Sequence, residues 1–444
     1  MPETDYATNF SPEMLEPVNS VLEQVLSCEA APFYREKYAG AVKAGVRDYA
    51  AFTEIPLLEK AELLRRNWRE RLYIPEEEIS HFSISSGTAA AGSHLVTPQA
   101  SYETENLFRY YLSDQAFGGK PVKRIMLLLS PMTSFAPRMI KASRPGLIMI
   151  SGDVRNMKTS ALIARETEAD GLATFSGALH KFLDACDSLG ITLPNLRWIS
   201  LGAEYTSQLQ YDYFRAKLPS AVFRFRGGAA EIGGNRYYKC PSLSDRPDTF
   251  HLMHHTHLAE LLDPVSGRPC VPGQEGEITH TDLARKASPL IRYRTGDLGV
   301  IEKRACPCGE NIILYLKGRM GFDNFRYGGI VFSVEMISSA LGKAAPAGFA
   351  LKPDFRLHIY EVSEGGRPRP RLELHLIPEL NAGPSFDGAG AARLSKLIAE
   401  NLYLSPSSSV ADMEREGGIR SFEVRLVDAF EADTIKARKI IPHF

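Results

Sequence analysis

Apolar residues recur at helical spacing from Glu16 to Leu26, and the pattern breaks before Pro32-Phe33-Tyr34. Leu57 to Arg66 repeats that spacing with its charges on one side, which predicts a second amphipathic helix. His81 to Ile84 reads as a short strand. Three short apolar runs follow, Arg124 to Leu129, Gly146 to Ile150 and Leu196 to Leu201. Stretches of helical spacing, among them Thr159 to Glu168 and Gly177 to Cys186, separate them. Buried strands alternating with helices predict an α/β fold built on a parallel sheet with crossover connections.

From about Phe250 to Val300 the pattern turns β-like, with turns at Pro264-Val265-Ser266-Gly267 and Pro272-Gly273. Beyond Gly318 it changes again. Phe355 to Glu361 and Arg371 to Ile377 read as strands joined by the Gly365-Gly366-Arg367-Pro368 turn. Ala391 to Asn401 reads as a helix, Phe422 to Val427 as a last strand, and Asn381 to Gly390 as an exposed loop. The expected organisation is a large domain over 1–318, with parallel α/β sheets and a β-rich subdomain, and a small α+β domain over 319–444. No internal repeat is seen.

Composition narrows the function classes. A chain of 444 residues is too long for one compact core. Lys plus Arg number 52 against 53 Asp plus Glu, a balance that gives no electrostatic reason to expect nucleic acid or an anionic membrane as partner. Met1 to Pro17 is polar and acidic, without the regions of a signal peptide, and runs such as Ile125 to Leu129 are too short to span a bilayer. Six cysteines in so long a chain do not make a disulfide framework. A cytoplasmic protein is expected.

Three segments suit chemistry. Ser85-Ser86-Gly87-Thr88-Ala89-Ala90-Ala91-Gly92 follows a strand, and its small residues let backbone N–H groups wrap a polyphosphate. Alone it reads first as a turn, and no Gly-Lys-Ser/Thr closes it as in a Walker loop. Ile291 to Leu298 presents Asp297 on a Gly turn flanked by Arg292 and Arg294, which suits a ribose diol beside phosphates or, equally, a surface Asp–Arg pair. Gly227-Gly228-Ala229-Ala230-Glu231-Ile232-Gly233-Gly234 places one acid among small residues. That leaves room for a planar ligand and a carboxylate for Mg²⁺, or it is a packed Gly turn with an exposed Glu.

Together, and in order, these segments resemble the adenylate-forming acyl/aryl-CoA ligase superfamily, in its phenylacetate–CoA ligase-like branch. Ser85 to Gly92 is similar to its phosphate loop, Gly202-Ala203-Glu204 to its Gly-(Ala/Ser)-Glu segment, and Gly227 to Gly234 to its Tyr-Gly-Leu-Ser-Glu-Ile-Gly-Gly. Arg292 to Leu298 is similar to Arg-Tyr-Arg-Thr-Gly-Asp-Leu, Gly318-Arg319 and Tyr327-Gly328-Gly329-Ile330-Val331-Phe332 to the hinge and the loop after it. Ile435-Lys436-Ala437-Arg438-Lys439 is similar to the catalytic-lysine segment, and Pro32-Phe33-Tyr34-Arg35 and Ile55-Pro56-Leu57 to the family's opening.

The resemblance implies an adenylation domain over 1–318 and a mobile C-terminal domain over 319–444. It implies that Glu231 ligates Mg²⁺, Asp297 binds the ribose hydroxyls, Arg319 contacts ribose or phosphate, and Lys436 bridges the substrate carboxylate and the α-phosphate. Ser85, Ser86, Gly87, Thr88, Gly202, Ala203, Glu204, Arg226, Gly227 and Gly228 would complete the ATP/AMP site. Phe135, Gly228, Ala229 and Gly234 would line the acyl pocket, although a Phe after a strand also reads as core. Gly202, Gly227, Gly228 and Gly234 would offer flat surfaces to a ring, so an aromatic acid is expected, of the phenylacetate, benzoate or anthranilate kind.

The implied activity is formation of an acyl-AMP from acid and ATP, then of the thioester with coenzyme A. A downstream acyltransferase or carrier protein is the expected further partner, and a monomer or homodimer the expected assembly. The alternatives are loading of a carrier protein's phosphopantetheine and a catalytically silent binding homologue. Ala89-Ala90-Ala91 lacks the family's phosphate-loop lysine, Gly227 stands for Tyr, Ala230 for Ser, Gly321 for Asp or Lys, and Ile435 for Gly. Cys306-Pro307-Cys308 is the tightest cysteine pair, and within this branch such a pair joins a Cys and a His, here Cys240 and His251, to bind zinc. The implied site is closed, tetrahedral and structural, pinning the β-rich part to the sheet domain. Cys28, Cys186 and Cys270 are left as packing residues.

Overall fold

The structure is a computed structural model that describes residues 5–38, 45–85, 94–100, 122–129, 146–202, 205–229, 231–232, 236–284, 286–319, 324–328, 330–344, 346–364, 366–378, 388–404, 408–430 and 439–444. The chain divides into two compact units: Met1–Ala203 with Leu218–Gly318, and Glu204–Lys217 with Arg319–Phe444.

In the first unit the helix Leu15–Ser27 buries Val18, Val21, Leu22 and Val25, the stripe that its apolar spacing predicts. That stripe shares a core with Tyr34, Tyr38, Phe52, Leu258, Ile291 and Tyr293. The helix expected over 57–66 is only Lys60–Leu64. Its start is delayed because Leu58 forms a β-bridge with Tyr293: the Leu58 N–H donates to the Arg292 carbonyl and its own carbonyl accepts the Arg294 N–H, both at 2.9 Å. A capping box between Glu59 and Glu62 then opens the helix.

Strands β1 (Ile79–Ile84) and β2 (Val96–Ala100) pair antiparallel. Five parallel strands follow: β3 (Arg124–Leu127), β4 (Ile148–Ser151), β5 (Gly171–Thr174), β6 (Trp198–Gly202) and β7 (Val222–Arg226), in the order β4-β3-β5-β6-β7. The fold is therefore mixed α/β on a parallel sheet, as the alternating pattern predicts. The strand order reverses between β3 and β5, and the carboxyl ends there bound the crevice in which open α/β sheets bind ligands. The short β5, and β7 with its two arginines, carry too little continuous apolar signal to be read from sequence.

A six-stranded sheet completes the unit, with β8 (Tyr237–Tyr238), β9 (Thr249–Leu252), β10 (His257–Leu262), β11 (Glu275–Asp282), β12 (Tyr293–Lys303) and β13 (Ile312–Arg319) in the order β10-β11-β12-β13-β9-β8. Its neighbours β10–β11, β11–β12, β13–β9 and β8–β9 run antiparallel.

The second unit holds the hairpin of β14 (Asn324–Tyr327) and β15 (Ile330–Ser333), and a four-stranded sheet in the order β18-β17-β16-β19. Its centre is the long hairpin of β16 (Leu351–Glu364) and β17 (Arg367–Pro378); β18 (Ser421–Leu426) and β19 (Ile440–Pro442) add parallel at its edges. Phe355, Leu357, Ile359, Leu372, Leu374 and Leu376 are buried with Ile337 and with Leu394 and Ile398 of the helix Gly388–Asn401. The helix Gln208–Lys217 belongs to this unit although its residues fall within 1–318. Among the described residues no helix is long and apolar enough to cross a membrane.

Candidate functional site

Glu231 is 3% exposed, so the reading of that segment as a surface turn with an exposed acid does not hold. Its Oε1 accepts the Tyr293 hydroxyl at 2.9 Å and pairs with Lys60 Nζ at 3.3 Å. A buried carboxylate needs such partners, because leaving it unpaired costs several kcal/mol, on the order of 3–5. Lys60 comes from the shortened helix and Tyr293 from β12, so three separated segments meet at one acid. Neither partner was found by sequence reasoning: Lys60 lies 171 residues from Glu231 and carries no local signal.

Asp297 stands in a bulge of β12 rather than on a free turn. The register with β11 slips between Glu277 and Thr279, Gly296 takes a positive φ of 74°, and Thr295 Oγ1 donates to the Ile278 carbonyl at 2.7 Å. The Asp297 N–H in turn donates to Thr295 Oγ1 at 3.0 Å. The flanking arginines serve other acids. Arg292 donates to both oxygens of Glu260, at 3.1 and 3.2 Å, and to the Ile55 and Thr53 carbonyls. Arg294 binds Glu277, Glu59 and the Pro264 carbonyl. Arg292 therefore fastens the N-terminal segment to β10, and Arg294 fastens it to β11.

Gly202 and Gly227, two of the four glycines expected to offer flat surfaces, are packed against side chains. A Cβ on Gly202 would stand 3.1 Å from Arg226 Cβ, and one on Gly227 only 2.3 Å from the Tyr237 ring. The volume left by Gly227, where the resemblance has Tyr, is thus filled by Tyr237. Burial, with the Asp297 charge behind it, raises the Tyr237 phenol. Tyr237 packs on Gly227 within the field of the Asp297 charge, and Tyr293, on the strand that carries Asp297, donates to Glu231.

Arg226 reaches across the carboxyl ends of the neighbouring strands, with its Nη2 donating to the Thr174 and Ser200 carbonyls at 3.4 Å. Gly228 is exposed with φ 144°, and Ala229 packs on the N-terminal core. Ser85 ends β1 buried, with its Oγ accepting the Leu95 N–H at 2.9 Å. Ser86, Gly87, Thr88, Phe135, Ala203, Glu204, Gly234 and Lys436, and the Arg319 side chain, lie outside the described residues.

The second grouping joins Cys240, His251, Cys306 and Cys308, whose ligand atoms all lie within 4.8 Å of one another, the one such group among the described residues. Cys240 Sγ is 3.6 Å from Cys306 Sγ, and Cys308 Sγ is 3.4 Å from His251 Nε2. Two sulfurs bound to one zinc stand about 3.8 Å apart, so the set fits that ion. His251 Nδ1 is 2.8 Å from the Ile312 carbonyl, an arrangement that aims Nε2 at the thiols. Burial holds the His251 imidazole below its usual range and therefore neutral, as a ligand must be.

Burial also pushes the Cys240 thiol up to about 11, whereas hydrogen bonds from Cys308 bring Cys306 down against the effect of its burial. His254 is engaged by Glu310 at 2.9 Å and His257 lies against the His280 ring, which leaves His251 as the histidine of this group. Lys239, unread in the sequence, places its ammonium among the Leu243, Arg246 and Thr249 carbonyls and so closes the loop that carries Cys240. All four residues come from the six-stranded sheet and its loops. The group staples that sheet to itself rather than to the parallel sheet.

No family model matches the chain. Over 278 residues it is 25% identical to the phenylacetate-coenzyme A ligase of Escherichia coli (strain K12), a stretch covering 61% of this chain and 62% of that one. The phenylacetate-coenzyme A ligase of Pseudomonas putida is 25% identical over 276 residues, 60% of this chain and 61% of that one. The chain thus spans less than two thirds of the curated relatives it matches. A solved 2-hydroxyisobutyryl-CoA ligase, in complex with 2-HIB-AMP and CoA, superposes with a TM-score of 0.65 over 97% of this chain and 89% of its own, at 18% identity. By these likenesses the chain is similar in sequence to the phenylacetate–coenzyme A ligases and has the fold of the adenylate-forming ligases.

Proposed function

We propose that this protein activates an aromatic carboxylic acid with ATP and passes the acyl group to coenzyme A. The observation that carries the reading is the bond from the hydroxyl of Tyr293, on the strand that carries Asp297, to the buried Glu231. In the first step a carboxylate oxygen of the acid attacks the α-phosphorus of ATP and pyrophosphate leaves. In the second, the thiolate sulfur attacks the acyl carbonyl carbon and AMP leaves. Asp297 accepts the ribose hydroxyls, Arg226 presents positive charge at the ends of β5 and β6, and Lys436 relieves the repulsion between the two anions. Glu231 would hold Mg²⁺, which would supply charge neutralisation at the phosphates.

Cys240, His251, Cys306 and Cys308 hold a structural zinc, with four protein ligands and no open position for substrate. The tight packing of Gly202 and Gly227 assigns acid selection to other walls, and an aromatic acid rests on the likeness to the phenylacetate ligases. Pyrophosphate release with a panel of aromatic acids, with and without coenzyme A, followed by mass detection of the thioester, tests the reading. Release that yields the CoA thioester is expected. Adenylate without thioester would turn the reading toward a carrier protein. No pyrophosphate with any acid would turn it toward a silent binding protein, for which the Ala89-Ala90-Ala91 run is the sequence support.

A further inference from the structure

Arg292 is buried with a left-handed backbone, φ 47°, a region that an arginine enters at a cost because its Cβ crowds the carbonyl. Its surroundings hold it there from several sides. The Arg292 N–H donates to Thr281 Oγ1 at 2.9 Å, and its carbonyl accepts the Leu58 N–H at 2.9 Å. Its guanidinium donates to both oxygens of the buried Glu260, at 3.1 and 3.2 Å. It donates also to the Ile55 carbonyl at 2.7 Å and to the Thr53 carbonyl. A strained residue clamped in this way points to a position that serves function.

What the clamp places lies on either side of it. The next residue is Tyr293, whose hydroxyl donates to Glu231 Oε1 at 2.9 Å. Across the β-bridge, Leu58 is held by the Arg292 carbonyl and the Arg294 N–H, and two residues further on Lys60 sets its ammonium 3.3 Å from the same oxygen. Two groups that bear on Glu231 therefore reach it from segments that meet at Arg292. The guanidinium binds β10 through Glu260 and the chain leading to Leu58 through Thr53 and Ile55, so one side chain sets the spacing between those segments. A lysine would keep the charge and lose the fork that makes these bonds at once.

We infer that Arg292 is a positioning residue for Glu231: clamped on Glu260, it keeps the left-handed turn that brings Tyr293 and Lys60 to one carboxylate oxygen. The inference rests on the proposed adenylation, in which Glu231 acts. A misplacement of about 1 Å near a reacting group can cost about a hundredfold in rate, so a clamp that fixes the partners of an acid acts on turnover as well as on folding. All the residues of the clamp belong to the first unit.

The test uses the full chain and two readouts. In protein free of metal and nucleotide, amide hydrogen exchange follows the Leu58 and Arg294 N–H groups, which close the bridge beside Arg292. Arg292→Lys is expected to speed both about tenfold and to leave the amides of the helix Leu15–Ser27 within about twofold. In the pyrophosphate assay, corrected for the folded fraction, the same variant should lower kcat about tenfold and keep the KM for the acid within about twofold. In a Tyr293→Phe background it should lower kcat less, because the hydroxyl that it places is gone. Glu260→Gln keeps the shape of the acid and weakens the clamp from its other end; it should repeat both effects, and it keeps the answer readable if Arg292→Lys folds poorly. With an active wild type, an unchanged kcat per folded chain, or exchange raised equally throughout the first unit, would make Arg292 a stability residue and overturn the inference alone. A wild type that releases no pyrophosphate with any acid would overturn the proposed activity, and this inference with it.

Discussion

The backbone of Gly227 lies against the ring of Tyr237, so close that a Cβ at Gly227 would stand 2.3 Å from the ring. The two residues are also bridged as antiparallel neighbours, which fixes that distance from the backbone side. A vacant side-chain position has been filled by a residue ten places further on, and burial there, with the Asp297 charge, raises the Tyr237 phenol. Gly227→Ala is therefore expected to cost about 1–3 kcal/mol in chemical denaturation, the usual price of overpacking a rigid site. In a Tyr237→Val background the same change should cost little, since the clash is gone. Equal costs in both backgrounds would show that the ring is not what Gly227 serves.

Zinc content is the next measurement. Purified protein should carry about one zinc per chain by elemental analysis. His251→Ala and Cys306→Ser should each abolish retention of the metal and lower the unfolding midpoint of the first unit, whereas His254→Ala should retain it. A metal-free protein that is fully folded would end the zinc assignment. The loop closed by Lys239 predicts a further detail: Lys239→Met should loosen the Cys240 end and speed zinc loss to a chelator, even though it removes no ligand.

What the sequence showed, and what it hid, follows from the range of the interactions. The grouping of Cys306-Pro307-Cys308 with Cys240 and His251 was legible only through the family resemblance, since a Cys-x-Cys pair alone is a weak sign of metal. The parallel sheet was legible through β3, β4 and β6, whose apolar runs are continuous, while β5 and β7 are too short or too charged to stand out. The helix at Leu57 to Arg66 was misread because Leu58 is held by Arg292 and Arg294, more than two hundred residues away. For the same reason Arg292 and Arg294 looked like ligands of a phosphate near Asp297. Their acids, Glu260 and Glu277, sit on other strands, and no local pattern announces such a pair.

Glu361 sets the sign of a pH effect. Burial pushes its carboxyl up to about 7 in the folded chain, above the ordinary carboxylate value of 4.5. Between those values the folded state keeps a proton that the unfolded state releases, so the contribution is fully present below the lower value and is lost as pH rises through the upper one. The second unit should thus gain stability, on this group's account, as pH falls from 8 toward 5. Glu361→Gln removes the titrating group and should flatten that part of the profile. An unchanged slope in the variant would place the titration elsewhere.

Lys60 and Glu231 make the sharpest prediction for the proposed chemistry. The ammonium stands 3.3 Å from the carboxylate oxygen that the Tyr293 hydroxyl also supports. Two cations cannot share one buried acid at low cost, so Mg²⁺ must displace Lys60 or compete with it. Lys60→Met takes the ammonium away from the buried Glu231 and should destabilise the metal-free protein by about 1–3 kcal/mol. Added Mg²⁺ should restore much of that loss in the variant and do little for the wild type. In the pyrophosphate assay the variant should reach half-maximal rate at a lower Mg²⁺ concentration, because the competing ammonium is gone. Glu231→Gln keeps the shape and removes the charge, and with it this gain in Mg²⁺ response should disappear. A Lys60→Met variant with unchanged Mg²⁺ dependence would mean that Glu231 holds the fold together and does not hold the ion.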